Sequence, residues 1–142
     1  MVICGKTSVV FISILNLIIG RIILGSQVTA KCQCGVDTTI MIGGGMLNFM
    51  TTCYFPCLCE HCRTVVQVNL LAEQRRCPQC KSTKAIPYDD PTLSEFAGEH
   101  TVVSWNMKEK LGRVLKLTDG NYRCPQCGRM TLRFKDNGLC WD

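Results

Sequence analysis

The sequence has 142 residues, enough for one modest domain or two very small ones. Twelve of these residues are cysteine, a content that indicates either disulfide bonds or bound metal. The formal net charge is +5, but this value counts every thiol as neutral. Because a Zn2+ ion held by four thiolates carries a charge of about −2, two such centres would lower the balance to about +1. Global charge is therefore no argument for nucleic-acid binding.

The N-terminal segment, residues 1–27, is apolar and is predicted to be a helix that is either an anchor or an extension. Thr7 to Gly20 form a run of fourteen uncharged residues that ends at Arg21. This run is shorter than the ~18 residues that indicate a membrane span. If Arg21 snorkels to the interface, residues 7–25 can serve as a membrane tether that leaves the cysteine-rich part in the cytoplasm.

Two other interpretations of this segment stay open. It can be a dispensable extension of a protein that starts near Val28, since every residue with a readable role lies after that point. It can also be a signal peptide, with Lys6 as its charge and Val28-Thr29-Ala30 as a small-residue cleavage site. Export conflicts with the metal-type cysteine spacing described below, because an oxidising compartment favours disulfides.

The cysteine-rich part, residues 28–142, begins with a C-x-C pair, Cys32 and Cys34. Two strand-like segments follow, TTIM at 38–41 and LNFMTTCYF at 47–55, with three glycines between them. No Gly-Lys-Ser/Thr follows the glycines, which argues against a phosphate-binding loop. We therefore expect a hairpin turn or bulge at the glycines.

Two C-x-x-C pairs come next, Cys59/Cys62 and Cys77/Cys80, separated by fourteen residues. This spacing is a strong indication of a zinc site formed by all four cysteines. TVVQVNLL at 64–71 is rich in β-branched residues and predicts a strand, with KSTKAIPY at 81–88 as the returning strand. His61 is chemically acceptable as a ligand, but its place inside the first pair favours a surface role. The sequence thus predicts an inner ribbon over residues 57–88.

The segment between the inner ribbon and the last cysteine pair contains two predicted elements. His100 to Trp105 is predicted to be a strand. Asn106 to Leu117 is predicted to be a short helix, with an apolar side formed by Met107, Leu111, Val114 and Leu115.

A third pair, Cys124/Cys127, repeats the pentapeptide RCPQC of residues 76–80 but has no partner pair nearby. Its missing half has three candidate sources, of which we favour Cys32 and Cys34. In the second arrangement Cys77/Cys80 joins Cys124/Cys127, which leaves Cys59/Cys62 without partners unless they join Cys32/Cys34. In the third, the partner is Cys53, Cys57 or Cys140. The favoured pairing gives two metal ions per chain and places one ribbon inside another.

The residues after this pair predict a short C-terminal knuckle hairpin, residues 122–142. Gly128 can adopt the positive φ that a knuckle turn needs. MTLRF at 130–134 alternates apolar and polar side chains, and Asp136-Asn137-Gly138 predicts a turn.

The cysteine pattern resembles that of zinc-ribbon proteins, firmly over residues 57–88 and as a partial second unit over 122–141. The resemblance implies a small β-rich, metal-stapled domain with rubredoxin-like knuckles and short hairpins. It also implies a nucleic-acid-binding or protein-interaction module. Basic residues concentrate in residues 108–135, and Arg129, Arg133 and Lys135 are the predicted contacts with nucleic acid or an acidic protein surface. Tyr122 and Phe134 lie in the same segment, either as stacking platforms or as core.

Two other classes of protein are alternatives to a binding module. Because four-cysteine sites also hold iron, a rubredoxin-like electron carrier is the alternative. Catalytic zinc usually keeps an open coordination position, and thiol-redox chemistry needs an accessible metal-free pair, so we expect no enzyme. Reduced cysteines favour a cytoplasmic protein, tethered to a membrane if the N-terminal segment is an anchor.

Overall fold

The computed structural model describes residues 2–3, 25–45, 50–95 and 98–141, which form three antiparallel sheets. The strands are β1 (Val2–Ile3), β2 (Gly25–Lys31), β3 (Asp37–Ile42), β4 (Tyr54–Cys59), β5 (Thr64–Asn69), β6 (Ala85–Pro87), β7 (Thr101–Met107), β8 (Arg113–Thr118) and β9 (Arg133–Trp141). A 3-10 turn covers Pro91–Leu93, and one short helix, α1, covers Lys108–Leu111. The small β-rich architecture predicted from the sequence is therefore confirmed.

The apolar helix predicted within residues 1–27 lies outside the described residues, apart from the short pieces that belong to β1 and β2. Within the described part of the chain, no helix has both the length and the apolar character needed to cross a membrane.

The first sheet has the strand order β1-β9-β2-β3, with β2 between two partners. Val28 and Ala30 of β2 are fully buried, whereas Lys31 is exposed. This alternation gives the sheet one face toward the core and one face toward solvent. We call the three strands β3, β2 and β9 the outer sheet.

The second sheet, with the order β5-β4-β6, is the inner ribbon. Its central strand β4 pairs with β5 from Tyr54–Asn69 to Cys59–Thr64 and with β6 from Cys57–Pro87 to Cys59–Ala85. Every β4 residue except Tyr54 is buried, as expected for a strand with neighbours on both sides. This register places the two cysteine pairs, Cys59/Cys62 and Cys77/Cys80, at the same end of the sheet.

The third sheet is a hairpin of β7 and β8, and it corrects the helix predicted for Asn106 to Leu117. Only the four residues of α1 are helical, and Gly112, with φ of 74°, ends the turn. Beyond Gly112 the burial alternates, since Leu115 and Leu117 are fully buried and Lys116 is exposed. An apolar period of two fits a half-buried strand better than a helix, and β8 therefore pairs with β7.

A second correction concerns the turn predicted at Asp136-Asn137-Gly138. The chain does not reverse there, because β9 continues to Trp141 and pairs with β2 on both sides of these residues. Only Gln27 of β2 faces Asn137, Gly138 and Leu139, so the extra residues form a bulge. Gly138 takes a φ of 77° in this bulge, and its amide donates to the Asp136 carboxylate at 2.9 Å. Turn-forming residues thus interrupt the register without ending the strand.

A cluster of three aromatic side chains joins the sheets. Tyr88, Tyr122 and Phe134 contact one another edge to face, with ring centroids 5.1–5.9 Å apart. Tyr122 and Phe134 are 4% and 3% exposed, so they belong to the core and offer no stacking platform. A second link is the ion pair of Arg113 on β8 with Asp89, which follows β6, at 2.6 Å.

Candidate metal centres

The inner centre is formed by Cys59, Cys62, Cys77 and Cys80, whose sulfur atoms all lie within 4.8 Å of one another. The Cys59–Cys80 sulfurs are 3.6 Å apart and the Cys62–Cys77 sulfurs are 3.7 Å apart. Four sulfurs bound at ~2.3 Å to a tetrahedral ion lie ~3.8 Å from one another, whereas disulfide sulfurs lie ~2.05 Å apart. The geometry therefore suits one metal ion and no disulfide.

The outer centre is formed by Cys32, Cys34, Cys124 and Cys127, again with all sulfurs within 4.8 Å. The Cys32–Cys127 and Cys34–Cys124 sulfurs are 3.8 and 3.5 Å apart. This grouping is the first of the three arrangements considered for the last cysteine pair. The third source of ligands does not match, because Cys53 and Cys57 are fully buried in the core and lie in neither group; the Cys140 side chain is outside the described part.

Both copies of RCPQC fold into the same knuckle. In the first copy the Cys77 amide donates to the Ser82 carbonyl, and the Lys81 amide donates to the Cys77 carbonyl, both at 2.9 Å. In the second copy the Cys124 amide donates to the Arg129 carbonyl at 2.8 Å, and the Gly128 amide donates to the Cys124 carbonyl at 2.9 Å. The pentapeptide thus determines a local turn, while the surrounding strands determine which second pair it meets.

The residue after each C-x-x-C pair adopts the left-handed conformation. The φ angles are 54° at Arg63, 63° at Lys81 and 74° at Gly128. This conformation turns the chain sharply after the second cysteine and leaves both sulfurs on one side. Glycine adopts it without steric cost, whereas a side chain costs of order 1 kcal/mol. The knuckles with Arg63 and Lys81 therefore carry this backbone strain, and the structure around the cysteines holds it in place.

The thiols of each centre have widely separated acidities. Burial opposes ionisation of Cys77, but amide hydrogen bonds from Cys80 and Gln79 lower its pKa to about 7. The Arg129 amide and the Thr131 hydroxyl lower the pKa of Cys127 to about 6. In contrast, the neighbouring Cys80 thiol raises the pKa of Cys62 to about 12. Four crowded thiols cannot all ionise unaided, so full deprotonation calls for a cation among them.

Within the described residues, the outer centre has one side-chain hydroxyl contact that the inner centre lacks. The Thr131 hydroxyl lies 3.0 Å from the Cys32 sulfur and 3.6 Å from the Cys127 sulfur. Lys84 occupies the matching position after the first RCPQC. A hydroxyl that donates to bound thiolates orients them and reduces their charge, as outer-shell groups do at metal sites.

Replacing Thr131 with valine is therefore expected to weaken metal binding at the outer centre by about tenfold and to leave the inner centre unchanged. Competition with a chromophoric chelator measures the two affinities. Thr131→Ser is the matched control, because it keeps the hydroxyl and should retain the native affinity. An unchanged affinity in Thr131→Val would show that the hydroxyl contact contributes nothing to the centre.

The inner ribbon holds the outer knuckle at two points. The Arg63 guanidinium donates to the Gln126 carbonyl at 2.8 Å, and Gln126 lies between the two cysteines of the knuckle. The Tyr88 hydroxyl donates to the Arg123 carbonyl at 2.8 Å, directly before the knuckle. Sequence reasoning missed both residues, since neither lies in a cysteine motif as a ligand. The two centres are thus physically connected.

The remaining predicted site residues lie outside the sulfur clusters. His61 is exposed on the first knuckle and belongs to neither group, in agreement with a surface role. Arg129, Arg133 and Lys135 are all exposed. Arg133 and Lys135 lie on the same face of β9, and the Arg133 guanidinium donates to the Asp119 carbonyl at 2.9 Å. Arg129 belongs to the knuckle turn itself.

The geometry defines a metal-binding module, because two four-cysteine groups are each close enough to hold an ion. The inner group, on two knuckles at one end of a three-stranded sheet, fits a zinc-ribbon-like motif. Comparisons with protein-family models, with curated proteins and with solved structures give no match. The class therefore rests on the site itself.

Proposed function

We propose that the chain is a structural-zinc module with two Zn(Cys)4 centres and that it binds nucleic acid. The two zinc centres are supported by the convergence of eight thiols in two groups, with paired sulfurs 3.5–3.8 Å apart. Zn2+ bound there would supply folding energy, since structural zinc sites stabilise small domains outright.

A structural role is favoured over a catalytic one by the ligand set. Four thiolates fill a tetrahedral coordination sphere, which leaves no position for a substrate. Neither histidine joins a sulfur group, since His61 is exposed and His100 pairs with Asp119 at 3.2 Å. The proposed role of the protein is therefore non-catalytic.

Purified protein is expected to contain about two zinc ions per chain and to lose its tertiary structure when a strong chelator removes them. Native mass spectrometry gives the stoichiometry, and near-ultraviolet circular dichroism follows the unfolding. Iron in place of zinc would absorb visible light and would support the electron-carrier alternative. A metal-free protein that stays folded would overturn the proposal.

The proposed partner is nucleic acid because exposed cations accompany the outer centre. Arg129, Arg133 and Lys135 form no ion pair with the carboxylates of the described part. Cations that form no ion pair within the described part are available to phosphates, and such contacts make affinity strongly dependent on salt. Fluorescence polarisation of labelled RNA and DNA at low salt tests this part. Absence of binding there would favour a protein partner instead.

A further inference from the structure

We propose that the phosphate backbone of the nucleic acid lies across the solvent face of the outer sheet, on a surface formed by β3, β2 and β9. This inference rests on the proposed function and identifies the binding surface. We call the surface the cationic face, and it consists of Thr29, Lys31, Thr39, Arg133 and Lys135.

The pairing register places these five side chains on one side of the sheet. Thr29 lies between Thr39 of β3 and Lys135 of β9, and Lys31 lies opposite Arg133. Their neighbours along the strands, Val28, Ala30 and Phe134, are buried on the opposite side. Because side chains alternate along strands and strands lie ~4.8 Å apart, the Cβ atom of each of the three basic residues falls within roughly 7 Å of that of another.

The charges of this face are unbalanced within the protein. Lys31 and Arg133 are directly opposite, an arrangement of like charges that destabilises a sheet. Asp37 offsets Lys31 only weakly, because the two groups are 3.9 Å apart and their side chains are 65% and 63% exposed. Three cations and this one carboxylate leave +2 on the face. A bound polyanion would remove the repulsion.

The chemistry of the face favours phosphates over bases. The hydroxyls of Thr29 and Thr39 can donate to phosphate oxygens, as threonines commonly do at nucleic-acid backbones. None of the five positions carries an aromatic side chain, while Tyr122 and Phe134 are buried in the core. Base stacking needs exposed aromatic side chains. We therefore expect contacts with the phosphate backbone and little dependence on the base sequence.

The outer centre fixes the geometry of this face. Cys32 directly follows Lys31, and Thr131, which contacts two of the sulfurs, lies two residues before Arg133. A metal held by these thiols would therefore hold the ends of β2 and β9 together where the two cations face each other. Rigid placement of charged groups lowers the entropic cost of binding.

The test compares two variants of the full-length, zinc-loaded protein that remove equal charge. The face variant carries Lys31→Gln, Arg133→Gln and Lys135→Gln; the control carries Lys84→Gln, Lys108→Gln and Lys116→Gln, which are exposed positions outside the outer sheet. The probes are labelled RNA and DNA single strands of about 20 nucleotides, longer than a typical single-strand site. Zinc content of both variants, expected to be unchanged, verifies the fold.

The face variant is expected to bind at least about tenfold more weakly than native protein, and its salt slope should fall by about 2 for three lost phosphate contacts. The control should lose less than about threefold, through net charge alone. Equal losses in both variants, or a strong dependence on base sequence, would overturn the cationic face and leave nucleic-acid binding intact. A native protein that binds neither RNA nor DNA at low salt would overturn the proposed partner itself.

Discussion

A Cys77→Ser protein is expected to lose both metal ions and most of its folded structure. Cys77 is fully buried, and its sulfur lies 3.7 Å from that of Cys62. Structural zinc binding is worth ~10–16 kcal/mol in small peptides, whereas whole domains are stable by only ~5–15 kcal/mol. A serine hydroxyl is a poor zinc ligand, and in this variant it would be buried where the native protein has a thiolate. Thermal unfolding by circular dichroism, with metal analysis, measures the loss.

Cys57→Ala is the matched control for this experiment. Cys57 is as fully buried as Cys77 but belongs to neither sulfur group. Burial raises the pKa of its thiol to about 12, as for an inert core residue. Its truncation should cost only about 1 kcal/mol through lost packing and should keep both metals. A Cys77→Ser protein with unchanged melting and metal content would refute the inner centre.

Cys127→Ser is expected to release only the outer metal and to leave the inner ribbon folded. The sulfur pairs of the inner centre join residues 15 and 21 positions apart. Cys59 ends β4, and the other three ligands lie in the loops before β5 and β6, the two strands that pair with β4. No ligand of the outer centre takes part in that pairing. Native mass spectrometry should show one zinc ion, and amide resonances of residues 54–87 should stay dispersed in NMR spectra.

The expected effects of the two cysteine variants differ because the outer knuckle depends on the inner ribbon. Arg63 and Tyr88 bind the carbonyls of Gln126 and Arg123, so a disordered inner ribbon would leave that knuckle without support. Loss of the outer centre removes no ligand from the inner one. A Cys127→Ser protein without metal, or a Cys77→Ser protein that keeps the outer ion, would contradict this order of dependence.

The inner centre was predictable because its signal is local. The fourteen-residue gap between Cys62 and Cys77 matches the length of a strand and a return turn. The outer grouping was one of three arrangements, since spacing says little about pairs joined across 90 or 95 residues. Thr131, Arg63 and Tyr88 belong to no recognisable sequence motif, and their contacts depend on tertiary packing.

The errors in the secondary structure predicted for residues 106–117 and 136–138 have a common cause. Met107, Leu111, Val114 and Leu115 satisfy a helical period, while Leu115 and Leu117 satisfy a strand period, and short segments support both. Pairing with β7 decided between them. The residues Asp136 to Gly138 suit a tight turn and a bulge equally well, and continued pairing of β9 with β2 selected the bulge. In each case tertiary contacts decided between two structures that the local sequence allows.

The topology of the two centres implies an order of events during synthesis. Every ligand of the inner centre and every strand of its sheet lies before Tyr88, so this unit can acquire metal while the rest of the chain is still on the ribosome. Cys32 and Cys34 leave the ribosome first but must wait for Cys124 and Cys127, their partners about 90 residues later. Local contacts form faster than distant ones because shorter loops close at lower entropic cost. Until then the thiols of Cys32 and Cys34 lack their partner pair and can be oxidised or can bind another metal ion.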